Sequence, residues 1–344
     1  MDSGGRRVVD GHLPGPPAVT PEDAPAVGAS PAGGPGSRPL RLPVKQLLLV
    51  LGVVATAYAA ALLVWGDSPR ASLARLGSWT GVQAIALCLF NYLLRGLRWR
   101  LWMAHYGRHF GWAKGLRLYL AGYAFTPTPG NIGEAVRGLM LARQPLGAGQ
   151  SLAIFGAERL ADLLCLLLLC LPAAWWVLTH GAVRAAPLFL AGLVAAAALV
   201  AAILLGLVLR YRATLRHRFA WLKEAWHCLA VRPLTWFALT LTAWAAQGVA
   251  LWLISRDLDI HLPLLTATGF YALAMVAGAL SALPAGLGGT EAVLTGLLVA
   301  QGATAGEALT ITVLTRLLTL WLAVAIGVVA LLYSAAIRKE ISFR

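Results

Sequence analysis

Seven ionisable side chains sit in surroundings too apolar to solvate them: Glu134, Arg137, Glu158, Arg159, Asp162, Glu291 and Arg316. A charge at the centre of a bilayer costs about 2.5–3.5 kcal/mol even on lenient insertion scales, so such groups must face a cavity or one another. Spacing begins to pair them. Glu158 and Asp162 are four residues apart and share a helical face, and Arg159, three residues before Asp162, can bond it from the neighbouring position. Arg316 has no acid within a turn of helix, which leaves Glu291 as its natural partner. The chemistry that guanidinium groups perform best is bidentate binding of phosphate or carboxylate. Arg159 and Arg316 are therefore the candidate phosphate clamp, with the remaining charges as substrate-binding neighbours. The competing reading is a self-neutralising set of ion pairs that only locks helices together.

Two of these groups recur in register. Pro127 is followed seven residues later by Glu134-Ala135-Val136 and, after twenty-five more, by Arg159-Leu160; Pro284, Glu291-Ala292-Val293 and Arg316-Leu317 repeat the same intervals. Helix-breaking residues fill each copy: Pro127, Pro129, Gly130 and Gly133 in the first, Pro284, Gly286, Gly288 and Gly289 in the second. Interrupted apolar segments at corresponding places in two halves point to a carrier's binding site. The N–H groups freed at such breaks must meet protein, a cavity or a ligand, and they favour an anion.

The elements that must position these residues are membrane helices. Of 344 residues 59% are hydrophobic and only 12% charged, a balance that places the chain in a bilayer. Six stretches suffice to span one, at about 46–65, 79–102, 151–178, 187–209, 234–254 and 307–335. Two more, about 116–141 and 265–300, carry the breaks. The predicted fold is an all-α integral membrane protein of about six transmembrane helices plus two broken or re-entrant segments, arranged as an inverted repeat of halves 45–178 and 187–335. Full crossing by both broken stretches, giving up to ten crossings, is the alternative topology. Residues 1–44, rich in Pro, Gly, Ala and Ser, read as a disordered tail, and 336–344 as a second tail. The run at 47–64 is too long and starts too late for a signal peptide, so it reads as an uncleaved helix.

The net charge of +14 does not indicate nucleic acid, because the basic residues gather at helix ends. Arg38, Arg41 and Lys45 precede the first helix; Arg95, Arg98, Arg100, Arg108, Lys114 and Arg117 are assigned to the second helix's cytoplasmic end; Arg210 to Arg232 and Arg338 to Arg344 form two further groups. This pattern places both termini in the cytoplasm. Four cysteines without a C-x-x-C pair, and His105 and His109 separated by Gly107 with no third ligand near, give no disulfide framework and no metal site. No nucleotide-binding, hydrolase or metalloprotease motif is present, so neither an enzyme nor a cofactor is expected.

The runs Tyr123 to Arg137, Glu158-Arg159-Leu160-Ala161-Asp162 and Pro284 to Glu291 resemble the lysylphosphatidylglycerol synthase transmembrane-region family, over about residues 45–335. In its two-domain members this flippase-like region moves aminoacylated phosphatidylglycerol outward, and a soluble domain makes that lipid. The resemblance implies a stand-alone multi-pass protein of the cytoplasmic membrane, without the synthase domain. It would move a phospholipid or polyprenyl-linked amphiphile, with membrane lipids and a lipid or glycan synthase as its partners. A small-anion carrier, an intramembrane enzyme using Glu134 or Glu158, and a non-transporting partner of a cell-envelope synthase stay open beside it.

Overall fold

The computed structural model describes residue 56 and residues 74–128, 134–135, 137, 146–179, 220–281 and 283–342. The stretches expected at 46–65 and 187–209 lie essentially outside these, as do the 1–44 tail and Pro129, Gly130 and Gly133. The described part is all helical. In chain order it contains α1 (Trp79–His105), α2 (Trp112–Gly122), α3 (Ala148–Leu169), α4 (Leu171–Thr179), α5 (Ala220–Ala230), α6 (Pro233–Asp257), α7 (Leu264–Leu280), α8 (Gly289–Ala300), α9 (Ala305–Arg316) and α10 (Leu322–Ser342). Four continuous helical runs, Trp79–His105, Ala148–Thr179, Pro233–Asp257 and Ala305–Ser334, are long and apolar enough to cross a membrane. The helices Leu264–Leu280 and Pro284–Ala300 are apolar but shorter.

Local chemistry sets the helix ends. Ser78 caps α1, its Oγ accepting the Gly81 N–H at 3.2 Å. Pro233 opens α6 at the one place where its missing N–H costs nothing. Thr304 and Glu307 form a reciprocal capping box on α9: the Thr304 N–H donates to Glu307 at 2.8 Å and the Glu307 N–H to Thr304 at 3.3 Å. Two of these continuous runs carry a local irregularity in the hydrogen-bond ladder. Pro172 has no N–H to donate, which divides α3 from α4 although Cys170 keeps helical backbone (φ −71°, ψ −19°). Leu317–Trp321 is a π-helical turn between α9 and α10, and the Tyr92 hydroxyl donates to the Leu318 carbonyl there at 2.9 Å.

Packing is inverted relative to a water-soluble protein. The outer surface carries exposed Val82, Leu89 and Phe90 on α1, and Leu163, Leu164, Leu167 and Leu168 on α3, whereas Arg95, Arg98, Arg137, Arg316, Glu134, Glu158 and Asp162 are buried. So large an apolar surface is stable only in lipid. Inside, α1 lies along α6, with Asn91 Nδ2 donating to the Ala243 carbonyl at 2.7 Å and Arg98 Nη1 to Thr240 at 2.9 Å. Helix α6 meets α7 where Gly248 faces Thr268, so close that a Cβ would come within 2.7 Å of its backbone. Helix α10 covers α2 and the turn Tyr123–Phe125.

Candidate functional site

Asp162 lies on the face of α3 that meets α1 and α6. It accepts from Arg98 Nη1 at 2.6 Å, Arg95 Nη2 at 2.9 Å and Trp244 Nε1 at 3.1 Å, and Arg159 Nη2 lies 3.4 Å away. One turn earlier, Glu158 accepts from Arg137 Nη1 at 3.0 and 3.2 Å. The Arg137 guanidinium also pairs with Glu134, rests 4.5 Å from the Tyr119 ring centre, and presses against Gly122, where any Cβ would overlap it. Glu134 is further held by the Thr126 hydroxyl at 2.9 Å and faces Arg159 Nη2 at 3.5 Å.

The second copy of the pattern is built more tightly. One oxygen of Glu291 accepts the Gly288 N–H at 2.6 Å and so caps α8; the other accepts from Arg316 Nε at 2.7 Å. Arg316 Nη2 donates to the Ala285 carbonyl at 2.9 Å. That bond ties down a break in which Ala285 (φ 54°), Gly286 (φ 68°) and Gly288 (φ 83°) all adopt left-handed backbone. Such a conformation is strained for the alanine and persists only where its surroundings hold it. Pro284 starts the short turn Pro284–Gly286, and Gly289 begins α8, so all four second-copy breakers form the re-start of the chain after α7. In the first copy, buried Pro127 follows the turn Tyr123–Phe125 with only Thr126 between them.

Both copies converge on one cavity of about 80 Å³. Its wall includes Arg95, Glu134, Arg159 and Arg316, with Tyr92, Tyr123, Trp244, Gln247 and Tyr271 between them. Glu291 backs Arg316, and Asp162 anchors Arg95 and Arg159. Arg137 and Glu158 stand behind Glu134, around a separate cavity of about 10 Å³ that Glu134 also lines, room for about one water. Among the described residues of this cluster, Arg95, Arg98, Arg137, Arg159 and Arg316 meet four carboxylates, Glu134, Glu158, Asp162 and Glu291, leaving one positive charge in surplus.

Residues 48–327 match the family model of the lysylphosphatidylglycerol synthase TM region. The chain belongs to the lysylphosphatidylglycerol synthase transmembrane-region family. It is a multi-pass membrane protein. Among curated proteins no match is found.

One assignment made from the sequence of this family member is corrected. Arg95 and Arg98 do not belong to a basic group at the end of α1; they lie within it, 8% and 0% exposed, and share Asp162 from 67 and 64 residues away. A signal was available, since Asn91, Arg95 and Arg98 recur at helical spacing on the same face as buried Cys88 and Trp102. The polar wall residues Gln247, Tyr271 and Trp244 were also not anticipated. Gln247 and Trp244 lie within α6, and only the packing of α6 against α1, α3 and α7 turns them inward.

Proposed function

We propose that this protein carries a lipid across the cytoplasmic membrane, binding its phosphate in the shared cavity while the acyl or prenyl chains stay in the bilayer. The observation that supports this most directly is the surplus positive charge on a cavity reached by three arginines. Anion binding there offsets a charge that the described carboxylates leave unbalanced in a low-dielectric interior. The Pro-Glu-Arg frame shared by two halves fits an inverted repeat with the site at its middle, as in carriers that alternate access around a fixed centre. The cargo class is a phospholipid or polyprenyl-linked amphiphile. A small free anion would be attracted by the same charges, and membership of the family favours a cargo with a lipid tail.

The test is translocation in proteoliposomes by Arg159→Lys and Arg316→Lys, beside thermal unfolding. Each charge-assisted bond is worth about 1.5–3 kcal/mol, so loss of the guanidinium fork is expected to slow transport at least about tenfold with folding retained. Full activity of both variants rejects the phosphate site. Transport of labelled inorganic phosphate without lipid movement would replace the lipid reading with the anion carrier.

A further inference from the structure

The two arginines of the repeated pattern are held very differently. Arg316 is 2% exposed in its side chain, bonded to Glu291 at 2.7 Å through Nε and to the Ala285 carbonyl at 2.9 Å through Nη2, and it clamps the backbone break. Arg159 is 31% exposed; its contacts to Glu134 and Asp162 are 3.5 and 3.4 Å, long for charged hydrogen bonds, and its Nε has no acceptor among the described residues. Its other neighbour is the Phe155 ring, 5.2 Å away. The carboxylates it shares do not depend on it. Glu134 keeps Arg137 and Thr126, and Asp162 keeps Arg95, Arg98 and Trp244, if Arg159 moves.

We propose that Arg159 is an exchangeable ligand: in the empty cavity it is parked between Glu134 and Asp162, and an arriving phosphate draws it away, while Arg316 stays fixed. This rests on the reading of the cavity as a phosphate site. Glu134 then acts as an internal competitor for the cation that the cargo needs. The apparent affinity for the cargo is lowered by the fraction of time that Arg159 spends parked. A site built this way avoids trapping its cargo, since the carboxylate re-forms its pair with Arg159 and displaces the phosphate at release. Fixed and exchangeable cations divide the work: Arg316 locates the anion, and Arg159 senses it.

Calorimetry of the full chain in detergent, titrated with dihexanoyl phosphatidylglycerol and separately with inorganic phosphate, tests both levels. Arg159→Gln and Arg316→Gln are expected to weaken lipid binding; if neither does, the phosphate site itself fails. Glu134→Asp keeps the net charge but withdraws the carboxylate from Arg159, and is expected to tighten binding by about 3- to 10-fold. Glu291→Asp, which loosens the fixed arginine, is expected to weaken it. If the arginine variants lose binding but Glu134→Asp does not gain it, or Glu291→Asp gains it equally, the exchange is wrong and the phosphate site stands. Tighter binding of inorganic phosphate with no change for the lipid assigns the exchange to a free anion and overturns it for a lipid headgroup. Should Glu134→Asp not fold, phenylglyoxal labelling of the unaltered protein decides. Arg159 is expected to react in the free protein and to be protected by the lipid, with Arg316 unreactive throughout, and equal reactivity or no protection overturns the proposal.

Discussion

Asp162→Asn separates a structural ion knot from a solvated one. The side chain is nearly isosteric, so packing against Trp244 and α1 survives, and the amide oxygen can still accept one hydrogen bond. What it loses is the charge that offsets Arg95 and Arg98, whose side chains are 9% and 0% exposed and lie 2.9 and 2.6 Å away. Removing one partner of a buried pair costs about 3–5 kcal/mol, because the other charge is left uncompensated. At about 2 °C of melting temperature for each kcal/mol in a chain of this size, unfolding is expected about 6–10 °C lower. The assay is thermal unfolding of purified protein in mild detergent. The same measurement on Asp162→Asn with Arg98→Gln is expected to recover part of the loss, since the second change removes one orphaned cation. Coupling of this kind identifies a direct interaction. A single variant as stable as the parent protein, or a double variant with simply additive losses, would refute the buried charge balance.

Further outcomes follow from the same contacts. Gly122→Ala places a methyl group into the Arg137 side chain and is expected to cost about 1–3 kcal/mol, read as a lower melting temperature and weaker lipid binding together. Arg95→Gln removes the surplus positive charge at the cavity wall and is expected to weaken binding of an anionic lipid about tenfold, by calorimetry, with Arg95→Lys affected less. The placement of the remaining basic residues predicts cytoplasmic termini, so a reporter joined after Arg344 is expected to be active only if it functions inside the cell.

Ion pairs formed by residues of the repeated pattern were legible in the sequence because their partners lie at fixed short intervals. Arg159 and Asp162 meet across one helical turn, and the separation of twenty-five residues joins Glu134 to Arg159 and Glu291 to Arg316. The cations of α1 were legible only as a polar face shared with Asn91, not as partners of a distant carboxylate. An arginine near the end of an apolar helix has the composition of a residue that reaches into the interface, and only the packing of α3 against α1 shows that its partner is Asp162. The π turn at Leu317–Trp321 was hidden for a similar reason, since the group that satisfies its Leu318 carbonyl, Tyr92, is 226 residues away. By contrast, Pro172 marked the interruption between α3 and α4 and could have been read as one.

The origin of the surplus charge becomes clear when the two copies are laid over each other at their common offset. Glu134 corresponds to Glu291 and Arg159 to Arg316, a neutral frame, but Arg137, Glu158 and Asp162 fall opposite Leu294, Thr315 and Thr319. The first copy thus carries three additional ions, of which two are acids, and Arg95 and Arg98 from α1 more than offset them. Leu294 and Thr315 are fully buried, so the second copy packs with uncharged side chains where the first needs an ion network. The network has a positional consequence: it holds Arg95 at the cavity wall and leaves Arg159 with two weak partners instead of one strong one. The repeated frame on its own would provide two neutral pairs and no preference for an anion. On the proposed reading, attraction for a phosphate therefore comes from the elaboration of the first copy, which sets the cavity's charge and leaves Arg159 with the longer contacts.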